Sequence, residues 1–459
     1  MAEQQHPEER PAVRQERTSR VYEIGKSGMA SARQLGDPSS SLSGTVDMER
    51  AALPHTIDLD THFRVLHHLG QGVIEKYGHH IRVVVNLKDQ MDADIMSWSQ
   101  ASKLVHLDMC ILASLDLHAR FYDIVRRNST NLVSLHFACM QEPKPFLRVD
   151  ALSTGTTAIS KLSFLRIERF QMTRGEFTVL LKMCPLLDTL DMREVPIKGD
   201  IVTEAFRHPR LHSLVATIAQ IFEMDPTIPN TPPLVVHFPR LRTWKILDRI
   251  PAVVVPMDVI RDNIGWHCPL LRAIHTETDE KVTTNLLTRA FYGLAEIRID
   301  FYSFSLDEIM AVRSHRSTLE SVGTILPHNF SYDVANVGRT YDRLQGYNCY
   351  IQELLRCCTR LRTISFPLEG MDINEIEKAQ WPCKDLEILQ IRIRGLDTKE
   401  TIDRTTDFWM DKRAESRRPS SRKKEATLKH GSIEERVARH LLQFDSLKEV
   451  WLGHKIRRL

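Results

Sequence analysis

Long hydrophobic runs are missing from this chain. Its 459 residues contain no stretch of 18 apolar residues, so we expect no membrane-spanning helix. The first residues, MAEQQHPEERPAVRQER, are charged and lack the apolar core of a secretory signal. Eight cysteines without such a signal indicate reduced thiols. We therefore expect a protein of the cytoplasm, the nucleus or both, without membrane contact.

A charge excess of either sign is also missing. The chain has 62 Lys and Arg against 59 Asp and Glu, which gives a net charge of +3. Nucleic-acid binding relies on positive charge that neutralises phosphates, and a nearly neutral chain has no global field for it. We therefore expect no nucleic-acid partner.

Catalytic signatures are absent as well. We find no G-x-x-x-x-G-K-[ST], H-E-x-x-H, G-x-S-x-G or complete G-x-G-x-x-G pattern. The 20 histidines show no repeated ligand spacing, and no C-x-x-C pair has a matching partner. The sequence predicts no catalytic residue, no cofactor and no metal. One alternative stays open, a GTPase activator that uses an exposed arginine such as Arg193 or Arg298.

What the chain does contain is a leucine repeat. Twelve leucines are each followed three residues later by another aliphatic residue, except in one case where Trp takes that place. A third apolar residue usually comes two residues after the second. Most successive spacings lie between 23 and 30 residues, a period typical of leucine-rich repeats. The twelve are Leu104, Leu132, Leu162, Leu187, Leu211, Leu241, Leu271, Leu294, Leu319, Leu361, Leu386 and Leu447.

One repeat shows the expected unit. Residues 177–184 carry apolar side chains at the i, i+3, i+4, i+7 spacing of a helix. Pro185 then ends the helix, and residues 187–192 have the spacing of a strand. This pattern predicts an α/β leucine-rich-repeat solenoid, with a parallel sheet on the concave side and helices on the convex side.

Composition divides the chain into three parts. Residues 1–50 are polar and predicted to be disordered. Residues 51–100 are predicted to form an N-terminal capping region, with Ile81–Leu87 as the first strand. Residues 101–459 are predicted to form the solenoid, with a basic insertion at about 411–431 and a polar loop or hinge at 331–343.

Four cysteines occupy one phase of the repeat. Cys184, Cys268, Cys358 and Cys383 each stand three residues before a repeat leucine, and Phe takes that position in other repeats. A position that accepts Cys or Phe is an apolar packing position. We therefore predict buried thiols.

The concave face is the candidate binding surface. Side chains of a strand alternate between its two faces, so residues between the core positions of each repeat point away from the helices. Their mixed charge favours a protein or peptide ligand, although a solvated face without a ligand stays open. The predicted partner-binding residues are Phe164, Arg166, Glu168, Asp191, Arg193, Lys245, His275, Glu277, Glu296, Arg298, Asp300, Gln390 and Arg392.

The basic segment 412–424 permits three interpretations. It resembles a bipartite nuclear import signal, it could hold a phosphorylatable serine, or it is a solvated loop. The residues of the import hypothesis are Lys412, Arg413, Arg417, Arg418, Arg422, Lys423 and Lys424.

The sequence resembles the fungal group of F-box and leucine-rich-repeat proteins in two features. One is the recurring Cys-Pro-x-Leu-x-x-Leu turn. The other is the segment Trp381-Pro382-Cys383-Lys384-Asp385-Leu386-Glu387-Ile388-Leu389 together with residues 393–400. The resemblance covers roughly residues 77–459. It implies a scaffold for protein partners, with a Skp-type adaptor of a cullin–RING ubiquitin ligase and a substrate protein among them. We expect the chain to be a monomer.

An F-box opens with Leu-Pro and an acidic residue two positions later. Here Leu53-Pro54 is followed by His55 and Thr56, so the F-box is absent or degenerate. The leading hypothesis is a substrate receptor that binds its target on the concave face. The alternative is a nuclear adaptor that acts through the segment 412–424, without a ligase role.

Overall fold

The computed structural model describes residues 56–58, 74–76, 78–88, 90–111, 115–140, 143–152, 158–199, 206–222, 232–247, 255–300, 305–325, 348–396, 398–417, 431–452 and 456–458. The segment predicted to be disordered (1–50), the predicted hinge loop (331–343) and residues 418–430 of the basic insertion lie outside this set.

The strands recur with the period of the leucines. They are β1 (Thr56–Asp58), β2 (Val83–Leu87), β3 (His106–Ile111), β4 (Ser134–Cys139), β5 (Phe164–Glu168), β6 (Met172–Thr173), β7 (Thr189–Arg193), β8 (Ile197–Lys198), β9 (Ser213–Ala216), β10 (Thr243–Ile246), β11 (Ala273–Thr276), β12 (Glu296–Asp300), β13 (Ser321–Ile325), β14 (Thr363–Met371), β15 (Ile388–Ile393), β16 (Glu449–Trp451) and β17 (Ile456–Arg458).

Fifteen of these strands form one sheet. Their spatial order is their order along the chain, from β1 to β17, with β6 and β8 left out to form a small parallel pair of their own. All neighbours in the large sheet are parallel except β16 and β17, which pair antiparallel and end it. A parallel sheet in which each strand lies beside the next in sequence is the architecture of a repeat solenoid. The predicted fold is confirmed.

Helices connect the strands. They are α1 (Gln90–Trp98), α2 (Leu115–Asn128), α3 (Arg174–Met183), α4 (Ile218–Phe222), α5 (Met257–His267), α6 (Glu280–Asn285), α7 (Leu306–Arg313), α8 (Asn348–Cys357), α9 (Ile373–Lys378), α10 (Lys399–Arg417) and α11 (Ile433–Leu441). A π-helical turn, Leu286–Ala290, follows α6, and 3₁₀ turns lie at Gly78–His80, Val149–Leu152 and Leu234–His237. No helix among the described residues is long and apolar enough to cross a membrane.

Local signals explain where each unit begins and ends. At the start of α3, the Thr173 hydroxyl accepts a hydrogen bond from the Glu176 amide at 3.1 Å, and the Glu176 carboxylate accepts one from the Thr173 amide at 2.8 Å. This capping box satisfies two amides that the first helical turn leaves without partners. Pro185 follows the C-cap residue Cys184, and β7 begins four residues later.

The sheet buries one face and opens the other. Strand β5 alternates between buried and half-exposed residues, with Leu165 and Ile167 in the core. The core lies between the sheet and the helices. Neighbouring strands lie about 4.8 Å apart, whereas packed helices need roughly 8–10 Å, so the helical side forms the longer, convex arc. The other side of the sheet is the predicted concave face, which we call the open face.

The structure corrects the position of the first strand. Thr56–Asp58 pairs in parallel with Val83–Val85, so the sheet begins one strand before the predicted Ile81–Leu87. The two strands begin 27 residues apart, a spacing within the repeat period. Residues 56–58 lie inside the predicted capping region and continue the repeat rather than interrupting it.

Strand pairing continues across both long intervals. Strand β13 pairs with β14 across the 42-residue interval, and β15 pairs with β16 across the 61-residue interval. In the second interval, α10 and α11 pack against each other. Helix α10 ends at Arg417, so the first seven residues of the predicted insertion, 411–417, are helical.

The predicted packing position holds more residue types than expected. Cys184, Cys268, Cys358 and Cys383 are buried as predicted, and burial raises the pKa of the Cys184 and Cys268 thiols to about 12. In another repeat this position holds His208. Its Nδ1 accepts the amide hydrogens of Arg210 and Leu211, so Nε2 carries the proton and donates to the Cys184 carbonyl at 3.0 Å. The position therefore serves both packing and hydrogen bonding.

Candidate functional site

One row of side chains crosses the open face. Each strand of the large sheet from β3 to β16 contributes the residue between two core positions, and strand register aligns these residues. Most of the row is polar or charged, and Val215 interrupts it in the middle of the sheet. In order, the row is Asp108, His136, Arg166, Asp191, Val215, Lys245, His275, Arg298, Gly323, Ser365, Gln390 and Trp451.

Charges on strands β3 to β7 form a first ion cluster. His136 Nδ1 lies 2.6 Å from Asp108 Oδ1, and His136 Nε2 lies 3.9 Å from Glu168 Oε2. Arg166 donates a hydrogen bond to Glu168 and lies 3.8 Å from the Asp191 carboxylate. Arg193 donates to both oxygens of Asp191, at 3.1 and 3.2 Å. The cluster is Asp108, His136, Arg166, Glu168, Asp191 and Arg193.

The pKa shifts in this cluster follow from the pairing. The interaction with His136 lowers the pKa of Glu168 to about 2; burial opposes this shift and Arg166 adds to it. Burial alone would lower the pKa of His136, but its contacts with the Asp108 and Glu168 carboxylates outweigh burial, so that pKa is raised. The fold therefore favours the ionised carboxylate beside the protonated imidazole.

A second ion cluster lies beyond Val215, on strands β10 to β13. Lys245 Nζ lies 2.5 Å from Glu277, and Glu296 lies 3.2 Å from both His275 Nε2 and Arg298 Nε. Arg298 also donates to the Ser321 hydroxyl at 3.0 Å. The hydrogen bond and charge of His275, helped by Arg298, lower the pKa of Glu296 to about 2 against the effect of burial.

Glycine makes room for one of these contacts. A Cβ at Gly323, the row position beside Arg298, would meet Arg298 Nη1 at 2.7 Å and the Ser365 carbonyl oxygen at 2.5 Å. Beyond Gly323 the contacts along the row join two uncharged groups, or one uncharged group and one charged group. The Ser365 hydroxyl donates to the Gln390 side chain at 2.6 Å, and the Gln390 amide donates to Glu449 at 2.7 Å.

The predicted partner-binding residues divide by their contacts. Most belong to the two ion clusters, Gln390 belongs to the polar chain beyond them, and Phe164 is half-buried at the first position of β5. Arg392 is half-exposed in β15, and Asp300 ends β12, although its side chain lies outside the described part. That these residues bind a partner stays a prediction. What the structure adds is that the cluster residues already hold one another.

Sequence reasoning missed two members of the first cluster. Asp108 and His136 occupy the same register position as Arg166, on strands β3 and β4. Leu104 and Leu132 mark these two repeats, so counting from those leucines as from Leu162 would have identified both residues. The missing step was to extend the register to every repeat.

The arginines considered for GTPase activation are both engaged in ion pairs. Arg193 pairs with Asp191, and Arg298 pairs with Glu296. An arginine that stabilises a transferring phosphoryl group must reach it with a free guanidinium. The hypothesis of a GTPase activator therefore has no support from either residue. Among the described residues, no group of three His, Cys, Asp or Glu side chains could hold a metal ion.

One residue of the predicted import signal is buried. Arg413 is buried, donates to the Phe444 carbonyl at 2.9 Å and to the Asp445 carbonyl, and lies over the Trp409 ring at 5.6 Å. An import receptor reads exposed basic side chains, so Arg413 belongs to the packing of α10 instead. Lys412 is half-exposed with its Nζ 5.6 Å from the Phe408 ring.

The side chains of the other five residues of the import hypothesis lie outside the described part of the chain. Arg417 ends α10, but its side chain lies outside the described part of the chain, as do residues 418, 422, 423 and 424. An import function for these residues stays a prediction.

Comparisons with known proteins add little. No family model and no curated protein matches the chain. Among solved structures it is similar to the crystal structure of a TLR13–ssRNA13 complex, at 10% sequence identity and a TM-score of 0.31. The match covers 68% of this chain and 46% of that chain, so it spans less than half of that chain's length. The fold assignment rests on strand order and repeat spacing.

Proposed function

We propose that this protein is a non-enzymatic scaffold that binds a protein partner on the open face. The observation that carries the proposal is the aligned polar row, which runs across twelve strands from β3 to β16 on the side of the sheet opposite the core. Solenoids offer such extended concave surfaces to partners. No ligand chemistry beyond protein is needed to explain the residue types present.

The paired charges support this proposal. Side chains that already hold one another lose little rotamer freedom when a partner docks, and that loss is one of the main costs of association. Half-buried Arg, Glu and His then offer hydrogen-bonding groups in fixed positions. Such a surface selects partners by complementarity rather than by net charge.

A single substitution in the centre of the row tests the proposal. Val215 is half-exposed on β9, between the two ion clusters. Replacing it with lysine, Val215→Lys, places a long charged side chain on the open face without entering the core. Val179→Lys makes the same change on the convex side, where Val179 on α3 is 48% exposed, and it serves as the matched control.

The measurement is affinity purification from cells, followed by binding with purified components. We expect a protein that the wild type and Val179→Lys retain and that Val215→Lys loses, with affinity reduced at least tenfold in direct titration, because an unmatched charge at an interface costs more than about 1.4 kcal/mol. Equal affinity for all three proteins would exclude the open face as the binding surface.

The finer hypothesis is a substrate receptor of a cullin–RING ubiquitin ligase. Its support is the resemblance of the repeat turns to F-box and leucine-rich-repeat proteins. Strand β1 begins two residues after Pro54, so a strand follows the Leu-Pro pair where an F-box would continue with helices. Binding of a purified Skp-type adaptor to the full chain, and its loss when residues 1–76 are removed, would establish this role. Absence of binding to the full chain would leave the scaffold without a ligase role.

The alternative is a nuclear adaptor that acts through the segment 412–424. Since Arg413 is buried, this role rests on Lys412 and on the basic residues from 417 onward. Alanine at 422, 423 and 424 should then move the protein out of the nucleus. An unchanged distribution would refute the import function.

A further inference from the structure

A second row of residues follows the edge of the sheet where the strands begin. Each member directly precedes a strand, and each donates its amide hydrogen to the carbonyl of the preceding member, with N–O distances of 2.7–2.9 Å. We call it the edge row. The same contacts begin with Arg82, Val105, Val133 and Ser163, and we define the edge row as their continuation from β7 onward, where the amide of its first member donates to the Ser163 carbonyl. Its members are Asp188, His212, Arg242, Arg272, Ala295, Glu320, Arg362, Glu387 and Lys448.

Charges of opposite sign meet at both ends of the edge row. At one end, His212 Nδ1 lies 2.7 Å from Asp188 Oδ1. At the other end, Glu387 forms ion pairs with Arg362 and with Lys448, whose Nζ lies 2.6 Å away. These pairings are the ones expected of neighbours about 4.8 Å apart, because like charges directly opposite each other are unfavourable.

The middle of the edge row breaks this rule. Arg242 and Arg272 stand on neighbouring strands β10 and β11, with like charges side by side. Arg240 stands two residues before Arg242 in the same turn. Arg210 stands at the equivalent position in the turn before β9, two residues before His212. All four are exposed, and within the described part of the chain none of their guanidinium groups makes a hydrogen bond or an ion pair. We call these four residues the arginine edge.

Acidic side chains are absent from the described stretches that directly surround the arginine edge. The described segments 206–222, 232–247 and 264–276 contain no Asp or Glu. Arg207 adds a further exposed positive charge in the turn before β9. Burial lowers the pKa of His267, the last residue of α5, and the charge of Arg207 adds to this shift. The turns of three successive strands therefore share a positive potential.

Two exposed aromatic residues accompany the arginines. Trp266 is 83% exposed at the C-terminal end of α5, just before the turn into β11, and Tyr292 is 68% exposed in the turn into β12. These are the two most exposed large hydrophobic side chains among the described residues. Trp, Tyr and Arg are the residue types enriched in the binding hot spots of protein interfaces.

We propose that the arginine edge, with Trp266 and Tyr292, binds an acidic segment of a partner protein. Guanidinium groups hold carboxylates through two parallel hydrogen bonds, and two of them on adjacent strands can hold one carboxylate or two successive ones. The aromatic rings receive apolar side chains of the same segment. This inference rests on the proposed protein-binding function but uses the edge of the sheet rather than the open face.

The carboxylates on either side of the arginine pair favour a short acidic segment over a continuous polyanion. Asp188 lies two strands before Arg242, and Glu320 lies two strands after Arg272. Strands about 4.8 Å apart therefore place a carboxylate within about 10 Å on either side of the arginine pair. A nucleic-acid backbone, with its regularly spaced phosphates, or an anionic lipid surface would extend over these carboxylates and be repelled. A few acidic residues fit between them.

Titration of a labelled peptide tests the inference. The probe is a fluorescein-labelled peptide of four glutamates flanked by leucines, and its control has glutamines instead. The variant is Arg242→Gln/Arg272→Gln. The matched control is Arg360→Gln/Arg362→Gln, which removes two arginines from the same edge that already pair with Glu320 and Glu387.

We expect the glutamate peptide to bind the wild type, with at least about tenfold loss for Arg242→Gln/Arg272→Gln, because each charge-assisted bond contributes roughly 1.5–3 kcal/mol, which converts to tenfold or more. We expect less than about twofold loss for the paired control.

Four results would overturn the inference: no binding to the wild type, equal binding by the first variant, equal binding of the glutamine peptide, or tighter binding of an oligothymidylate or of phosphatidylserine vesicles. If the peptide fails while Val215→Lys still abolishes partner capture, the arginine edge is refuted and the proposed function stands.

Discussion

The open face and the arginine edge both contain charged side chains, but they differ in burial and in ion pairing. On the open face, charged residues are half-buried and held by partners, as Glu168 is by Arg166. On the arginine edge, four arginines are exposed and make no ion pair with any described residue. Strands β10 and β11 contribute to both surfaces, so the fold does not by itself explain the difference.

The comparison separates two uses of charge in one scaffold. Half-buried charges must be paired, because an isolated charge in a desolvated position is unfavourable, and such pairs fix the geometry of the face. Exposed charges need no partner to keep the fold stable, since water solvates them. Like charges at neighbouring exposed positions are slightly unfavourable, so their presence indicates a surface that becomes favourable only when an anion binds.

The largest effect should come from a polar residue that is paired and fully buried. Asn128, at the end of α2, accepts the Leu104 amide hydrogen at 2.8 Å and donates to the Ala101 and Ile124 carbonyls at 2.8 Å each. Asn128→Ala leaves these groups without partners. We expect the free energy of unfolding to fall by about 2–4 kcal/mol, measured by urea denaturation.

A neighbouring asparagine provides the control for this prediction. Asn131 also bonds a carbonyl of the preceding repeat, that of Ser102 at 3.1 Å, but at an exposed position. Asn131→Ala should cost well under 1 kcal/mol because water replaces the lost bond. Similar losses for the two variants would show that burial does not determine how much a paired polar group contributes to the free energy of unfolding.

The ion clusters should make stability depend on pH. The carboxylate of Glu168 has a pKa of about 2 in the fold against an ordinary 4.5, so its stabilising effect is complete above pH 4.5 and is lost as pH falls towards 2. The pKa of His136 is raised from 6.5, so its effect is complete below pH 6.5 and is lost as pH rises through the raised pKa. Asp108 and Arg166 are the other charged groups in contact.

Glu168→Gln tests this pairing directly. The difference in unfolding free energy between wild type and variant should be largest between pH 4.5 and 6.5, at about 1–3 kcal/mol. It should shrink as pH approaches 2. Glu280→Gln, at an exposed carboxylate of α6 outside the cluster, is the control and should show little change over the same range. A difference for Glu168→Gln that is constant from pH 2 to 8 would contradict the pairing.

The sequence predicted the repeat because that information is local. A helical stripe, a proline and a strand pattern lie within about twenty consecutive residues, and stacking follows from the need of each unit to bury its apolar face. The core leucines, the parallel sheet and the buried cysteines could all be predicted in this way. The first strand was missed because Thr56–Asp58 is too short to show alternation.

Contacts between distant residues could not be read from local patterns. Arg413 stands in a basic run that resembles a solvated segment, yet its partners are carbonyls 31 and 32 residues away. Likewise, Arg193 and Arg242 are both arginines in or beside strands, and only the structure shows that the first has a carboxylate partner. Their register was accessible from the sequence, whereas their pairing depends on side-chain geometry across neighbouring strands.

The smallest expected effect tests most directly the comparison between paired and unpaired charges, because it concerns two arginines of the same edge row. Arg362→Gln removes an exposed ion pair with Glu387, and such pairs contribute about 0.2–1 kcal/mol, so unfolding should become slightly easier. Arg242→Gln removes a like charge beside Arg272 and should leave the free energy of unfolding unchanged or raise it by up to about 0.5 kcal/mol.

The sign of this difference is the informative quantity. Thermal unfolding at low salt measures it, and added salt should reduce both effects because the residues are exposed and screened. If Arg242→Gln destabilised the free protein as Arg362→Gln does, Arg242 would have a stabilising partner within the fold. The arginine edge would then be one more paired surface, and a partner would have no unpaired charge to bind there. An opposite sign means that these arginines are tolerated by the fold and have their favourable contacts elsewhere.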